Sequence, residues 1–547
     1  MSRKARKYVF VIGGVMSGVG KGIATSSIAK IVQSRGFSVN AVKVDPYLNV
    51  DAGTMNPTEH GEVFVIKSGL ECDQDLGNYE RFLNKDLQDD LYITSGMIYQ
   101  HVISRERNLG FRGKCVEAIP HIRDEIILRF RRTVDFNEAD ISIIEIGGTV
   151  GDYQNIMFIE AARVLKVEHP DDVLFIMVSY LPIPQGLGEM KTRPTQNAVR
   201  QLNSYGVQPD VIIARSERAL DKKRKDKIAV SCNVPADHVI SAPDVESIYD
   251  VPLNFEKDNI GEMILSGLKM KARKKTNDLS RWRKFVSKSK HAKEKVSIAL
   301  IGKYFDVGDF TLSDSYISII EALKISAYTL GRKPELTWVS AGEFEKNPRM
   351  LKKLDNFDGI VVPGGFGERA VEGKIKAIKY AREKKIPYFG LCYGMQLAVV
   401  EYARNVANLR GAHTTEVDPD TPNPVIDIIP EQKELLEKQK YGGTMRLGGY
   451  IALLKKGTIA RKVYGSELVE ERHRHRYEVN PEYIERLTES GLVFSGTSPD
   501  RKLMEIAEIP RNKHPFFVGV QFHPEFQARP LSPHPLFTEF LKAAIKN

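Results

Sequence analysis

Residues 386–403 constrain the fold more than any other stretch. An apolar run, Ile386, Pro387, Tyr388 and Phe389, leads through Gly390-Leu391-Cys392-Tyr393-Gly394 into an apolar-periodic segment, Met395 to Ala403. That pattern predicts a strand, a sharp turn and a helix, with a thiol at the turn and a glycine two residues to either side. A nucleophile on such an elbow is exposed at the sheet edge. Nearby backbone N–H groups and the helix N-terminus favour its thiolate and a developing oxyanion. Downstream, Val520-Gln521-Phe522-His523-Pro524-Glu525-Phe526 offers partners. In an extended segment His523 and Glu525 project to the same side, so the histidine can act as base and the carboxylate can orient it. Cys392, His523 and Glu525 are the catalytic candidates.

The chain has 547 residues, too many for one core, so two or three domains are expected. Four scattered cysteines form neither CxxC pairs nor a disulfide framework, which fits a reducing cytoplasm. The basic start followed by Tyr8 to Met16 imitates a secretory signal, but its apolar part is short and runs straight into Ser17-Gly18-Val19-Gly20-Lys21. No run of about 18 apolar residues occurs, so no membrane span is expected. The net charge of +10 could suggest a nucleic-acid partner, yet Lys269 to Lys295 alone carries twelve Lys or Arg against two acids and accounts for all of it. This stretch reads as a solvated basic linker, with a polyanion-binding arm as the alternative. No nucleic acid is expected as a partner.

The linker, 269–295, divides the chain into residues 1–268 and 296–547. The first half shows apolar strands at Tyr8 to Ile12, Ser38 to Val44, Ile141 to Ile146, Val173 to Val178 and Val211 to Ala214, and a helix at Gly22 to Ser34. The second half repeats the style at Val296 to Ile301, Gly359 to Val362, Tyr388 to Leu391 and Phe516 to Phe522. Alternating strands and helices with runs this apolar predict an α/β chain of two doubly wound, mostly parallel-sheet domains. Pro419 to Pro424 and Tyr441 to Gly449 read as functional loops.

Gly13 to Gly22 follows a strand and opens a helix, the setting of a phosphate loop in which Lys21 neutralises phosphate charge. It departs from the strict GxxxxGK[ST] pattern: Val15 stands where the first glycine would be, and Gly22 replaces the Mg²⁺-binding hydroxyl. Metal ligands must then come from elsewhere. Glu145 closes the apolar strand that begins at Ile141, and Asp73 and Asp75 are further candidates. Gly188 to Gln196 gathers Lys191, Arg193 and several hydrogen-bonding groups, which suits a second anionic ligand such as a nucleoside triphosphate.

A thiol nucleophile suggests amide hydrolysis through a thioester, and a phosphate loop with metal acids suggests ATP-driven activation of an oxygen. Joined in one chain, they suggest that ammonia from glutamine displaces a phosphorylated oxygen. The acceptor does not follow from this chemistry. Further blocks, among them Asp45-Pro46-Tyr47, Gly53-Thr54-Met55, His60-Gly61-Glu62-Val63-Phe64, Ile119-Pro120-His121-Ile122, Pro363 to Gly367, Gly442 to Gly448 and Arg472 to Asn480, resemble the CTP synthase family over essentially the whole length. The resemblance implies a P-loop-type synthetase (amidoligase) domain followed by a class I glutamine amidotransferase domain, with UTP, ATP and L-glutamine as substrates and Mg²⁺ as the ATP-bound metal. It further implies GTP as activator, CTP as feedback inhibitor and a homotetramer.

Residue by residue, the resemblance assigns Gly18, Val19, Gly20, Lys21, Gly22, Ile23, Asp75, Asp244 and Val245 to ATP, and Asp75 and Glu145 to the metal. It assigns Ser17, Asp152, Tyr153, Gln154, Lys191, Thr192, Arg193, Pro194, Thr195, Gln196 and Lys227 to UTP or CTP. Glutamine falls to Gly365, Tyr393, Gly394, Met395, Gln396, Glu416 and Arg476. Departures from the family pattern are Gly18 for serine, Arg193 for lysine, Gln154 for glutamate, Leu187 for serine, and Pro243 for a longer side chain. A cobyrinic-acid-type amidating enzyme joins similar halves, but leaves the Lys191 to Gln196 cluster without a purpose.

Overall fold

The computed structural model describes residues 6–135, 139–184, 186, 188–273, 278–302, 313–365, 369–428 and 445–546. Leu187, residues 274–277 of the basic stretch, Phe366-Gly367 and Tyr441 to Thr444, all singled out above, lie outside them. The contacts divide the chain into two compact units, residues 1–52 with 75–286, and residues 53–74 with 287–547. The segment 53–74, inside the first half by sequence, therefore makes its contacts in the second unit.

The first unit is built on a seven-stranded, all-parallel sheet. Its order is Tyr92–Thr94, Val39–Asp45, Ile141–Ile146, Lys7–Gly13, Val173–Tyr180, Val211–Ser216 and Val239–Pro243. The central strands are buried along their whole length, as a sheet covered on both faces requires. Lys7–Gly13 has Ile141–Ile146 on one side and Val173–Tyr180 on the other. The loops leaving the carboxyl ends of these three strands are neighbours, and such a crevice is where open α/β sheets bind ligands.

The second unit holds a nine-stranded sheet. Five strands, Lys333–Ser340, Lys295–Gly302, Gly359–Val362, Tyr388–Leu391 and Phe517–Val520, are parallel. Four antiparallel strands extend it: Met504–Ile509, Val493–Thr497, Arg446–Leu454 and Leu468–His475. These four were not foreseen, because polar and charged residues interrupt them. The reading of 441–449 as loop fails from Arg446 onward, where the chain pairs residue for residue with Leu468–His475.

The basic stretch is not wholly solvated. Ser280–His291 is a helix that buries Trp282, Phe285 and Val286. Trp282 donates its indole N–H to the Tyr249 carbonyl at 2.8 Å and packs against Phe82 at 5.0 Å between ring centroids. Three apolar residues at helical spacing suffice to dock it, while its lysines and arginines cover the outer face.

Candidate active sites

The elbow forms as the sequence predicts. Tyr388–Leu391 ends at Cys392, whose backbone adopts φ 49°, ψ −102°, and the helix Tyr393–Asn405 follows at once. A left-handed φ at a non-glycine residue is strained, and here it turns the thiol out of the sheet edge. The turn is pinned on both sides. Cys392 donates its N–H to the Val520 carbonyl at 2.7 Å, and Tyr388 donates its hydroxyl to the Gly394 carbonyl at 2.9 Å. A β-carbon on Gly394 would lie 2.2 Å from the Val362 carbonyl oxygen, so only glycine lets the helix approach this strand. The side chains of Tyr393 and Met395 belong to the hydrophobic core, which leaves their backbone N–H groups as the parts able to face a ligand.

His523 and Glu525 meet, but not along an extended strand. The strand ends at Val520, and Pro524–Gln527 forms a 3-10 turn. Proline fixes that turn and swings the Glu525 carboxylate back to 2.7 Å from His523 Nδ1. Burial works against charge on His523, but the Glu525 carboxylate and the Cys392 sulfur outweigh it and push its pKa up to about 10. The imidazole is thus held as a cation beside the thiol, the arrangement that activates a cysteine nucleophile.

Cys392, His523 and Glu525 open into one cavity of about 270 Å³, together with Gly364, Gly365, Arg474 and Arg476. Gly53, Met55, Glu62 and Val63 complete its wall, a contribution that position in the sequence conceals. The hairpin of Val63–Val65 and Glu71–Asp73 is tied down by Glu71, which pairs with Arg474 at 2.7 Å, and by the Val65 carbonyl, which accepts from Arg472 at 3.1 Å. Alternation along the strand sends Arg474 to the cavity and turns His473 and His475 inward, where their ring nitrogens lie 2.9 Å apart. Burial first, and then the charge of Arg446, push both histidines well below the usual range, so they are neutral and enclosed. Gln396 is buried and donates to the Tyr477 carbonyl at 2.9 Å. Glu416 and Arg476 both act on the Tyr477 hydroxyl, whose pKa is raised chiefly by burial.

In the first unit, Lys21 heads the helix Lys21–Ser34 and donates to the Gly148 carbonyl at 2.9 Å; burial lowers its pKa. Gly22 has a physical reason. A β-carbon there would sit 1.9 Å from Asp75 Oδ1, so the Asp75 carboxylate occupies the space of the missing hydroxyl. Lys43, which the sequence reading passed over, joins the acids: it pairs with Asp75, with Glu145 at 3.1 Å and with Asp45 at 3.7 Å. Burial raises the pKa of Asp45 and Glu145; for Asp75 burial acts the same way, but Lys43 outweighs it and the pKa falls. Among the described residues no group of three or more His, Cys, Asp or Glu is arranged to hold a metal ion. Asp73 falls in the second unit.

Gly20, Ile23, Asp244 and Val245 line a second cavity, of about 420 Å³, together with Pro243 and Arg215. Arg215, also unforeseen, pairs with Asp244 at 2.7 Å and donates to the Val19 carbonyl at 3.3 Å. Val19 itself is buried, whereas Ser17 and Gly18 are exposed at the crest of the loop. Asp152 accepts from the Thr149 N–H at 2.6 Å, and Tyr153 and Gln154 beside it are exposed. Arg193 and Pro194 open the helix Arg193–Ser204. Thr192 accepts from Gln196 at 3.2 Å, and the Thr195 hydroxyl meets Ser179 at 2.7 Å. Lys191 pairs with Glu189 at 2.7 Å. Lys191 chiefly, with smaller contributions from Arg224 and Lys227, holds the Glu189 carboxyl below its usual range. Lys227 itself stands on the separate helix Lys222–Cys232.

Residues 7–270 match the family model for the CTP synthase N-terminus, and residues 311–543 match glutamine amidotransferase class-I. The CTP synthase of Caldanaerobacter subterraneus is 50% identical over 98% of this chain and 98% of its own length. The chain belongs to the CTP synthase family. The CTP synthase of Thermococcus gammatolerans is 49% identical, again over 98% of each chain. A solved glutaminase domain of Trypanosoma brucei CTPS with bound acivicin is 36% identical over 46% of this chain and 94% of that one, with a TM-score of 0.42. In this CTP synthase family member no described helix is long and apolar enough to cross a membrane.

Proposed function

We propose that this chain converts UTP to CTP with ATP and with ammonia released from L-glutamine. The observation that carries the reading is that a buried thiol–imidazole–carboxylate site and a phosphate loop beside paired carboxylates occur in one member of the CTP synthase family. Residues 1–268 would serve as the synthetase domain, with 53–74 lent to the other site, 269–295 as the join, and 296–547 as the amidotransferase domain.

In the amidotransferase domain the Cys392 thiolate attacks the glutamine amide carbon. His523, oriented by Glu525, delivers a proton to the departing ammonia and then takes one from the water that opens the thioester. Gly365, Gln396, Glu416 and Arg476 hold glutamine, and the backbone at Tyr393 to Met395 receives the oxyanion. In the synthetase domain the loop from Gly18 to Ile23 cradles ATP phosphates, and Asp244 and Val245 face the adenine. Ser17, Asp152 to Gln154, Lys191 to Gln196 and Lys227 take the pyrimidine nucleotide, UTP as substrate or CTP as inhibitor. Phosphate passes from ATP to O4 of UTP, ammonia adds at C4, and phosphate leaves.

Asp75 and Glu145 suit Mg²⁺: both are hard oxygen donors already gathered around one cation, Lys43, and Mg²⁺ commonly takes one or two carboxylates with phosphates and water. Bound there, the ion would neutralise charge on the transferring phosphoryl group. GTP activation, a homotetramer and a cytoplasmic location accompany this reading. Following the ultraviolet absorbance of CTP formation from UTP, ATP, Mg²⁺ and glutamine, with and without GTP, tests it. Absence of CTP with both glutamine and ammonium salt would overturn it.

A further inference from the structure

Gln521 follows the strand Phe517–Val520 and is fully buried. That strand runs parallel to Tyr388–Leu391, with Val520 opposite Leu391, so Gln521 comes level with Cys392. Its Nε2 lies 3.8 Å from Cys392 Sγ, and its Oε1 lies 3.4 Å from Nε2 of Gln396. The second contact fixes the sense of the first. Gln396 already donates through Nε2 to the Tyr477 carbonyl at 2.9 Å, so its remaining N–H meets Gln521, which must answer with oxygen. Reversing Gln521 would set two NH₂ groups against each other and turn a carbonyl oxygen onto the sulfur. The backbone is held as well, because Gln521 donates its N–H to the Glu505 carbonyl at 2.8 Å.

We propose that Gln521 is a further catalytic residue of the glutaminase site, donating a hydrogen bond from its side-chain amide to the Cys392 sulfur, with Gln396 as the positioning residue that keeps the amide in the donating sense. The proposal rests on reading Cys392 as the nucleophile that attacks glutamine. A donor at sulfur favours the thiolate before attack, because hydrogen bonds to an ionised partner are stronger than those to a neutral one. It acts again when water opens the thioester: the C–S bond breaks, its electron pair returns to sulfur, and the Gln521 N–H faces the charge that forms. The charged and titratable groups facing the cavity around this sulfur are His523 and Glu525 after the strand, Arg474 at the end of the strand Leu468–His475 with Arg476 just beyond it, Glu62 just before the hairpin, and Tyr316. None of them is altered in the variants below, so a change in the neutral Gln521→Met reports the amide, whereas Gln521→Glu adds a carboxylate and reports how the sulfur responds to charge at this position.

The test is the pH dependence of Cys392 alkylation by iodoacetamide in the full chain, read by peptide mass spectrometry without glutamine or turnover. Gln521→Met keeps the volume and removes the donor. It should raise the pH midpoint of alkylation by about one unit, roughly the worth of a hydrogen bond to a charged group. The near-isosteric Gln521→Glu should raise it further, and Gln396→Met should raise it by less. A Gln521→Met midpoint equal to wild type, with an unchanged melting temperature, would overturn the proposal. The reading beneath it fails differently: Cys392→Ala that still made CTP from glutamine would remove the nucleophile assignment, whatever the alkylation midpoints.

Discussion

In the second unit the buried thiol, the imidazole and the buried carboxylate are gathered in one cavity, whereas in the first Lys43 occupies the carboxylates while Ser17, Gly18, Tyr153 and Gln154 lie open to solvent. The difference follows from what each site handles. Glutamine brings no net charge, so its site can carry a balanced set of partners from the start. Nucleoside triphosphates bring several negative charges, and a site that must accept them together with a metal needs acids held ready but internally neutralised. Lys43 provides that neutralisation, and the buried acids would be costly without it.

Cys392→Ala should separate the two regions most sharply. Glutamine-dependent CTP formation is lost and ammonium salt still supports it; loss of both in a folded variant would break the division. Lys43→Met should impair both nitrogen sources alike, by ~10²–10³-fold, the usual cost of removing one preorganised charge from a site. A defect confined to glutamine would place Lys43 in the wrong site. Trp282→Ala removes a fully buried side chain from the first unit and should cost about 3–5 kcal/mol there. Calorimetry should show the first unit's transition lowered, with glutamine hydrolysis at 25 °C unchanged.

The smallest effect is one of pH, in the second unit. Burial lowers the pKa of His514 to about 4. Between its unfolded value near 6.5 and about pH 4 the unfolded chain binds the extra proton, so the stability His514 permits at neutral pH is lost on acidification. From pH 7 to 5 the wild type should lose up to about 2 kcal/mol that His514→Gln does not lose, seen as converging melting temperatures. Parallel curves would show that His514 takes its proton in the folded state.

What the sequence made legible depended on how local the signal was. The elbow at Cys392, the phosphate loop and the parallel strands announce themselves within a dozen residues, because strand period, glycine and helix period change in quick succession. Gly22 read correctly as a missing hydroxyl, but its cause is Asp75, more than fifty residues away. Lys43 looked like an ordinary charge within a strand, and Arg215 gave no signal at all. The antiparallel strands Arg446–Leu454 and Leu468–His475 escape notice because Arg446, Glu470 and Arg472 break the apolar pattern, and their partners, among them Glu505, Lys67 and the Val65 carbonyl, lie far off in sequence. The pairing of His523 with Glu525 was right in outcome and wrong in cause, since a proline turn achieves what strand alternation was expected to do.

The hairpin at residues 53–74 has a consequence for how such a chain can be divided. Its membership of the second unit means that the polypeptide passes between units at three places, near residues 52, 74 and 286. A protease cut in the basic stretch leaves two fragments with no covalent link, and the hairpin, carried by the amino-terminal fragment, stays in the second unit only through non-covalent contacts such as Glu71 with Arg474. A gene split at the same point would yield an amidotransferase half whose catalytic cavity lacks part of its wall. The two units are thus written into the chain as interleaved stretches rather than as modules that can be exchanged.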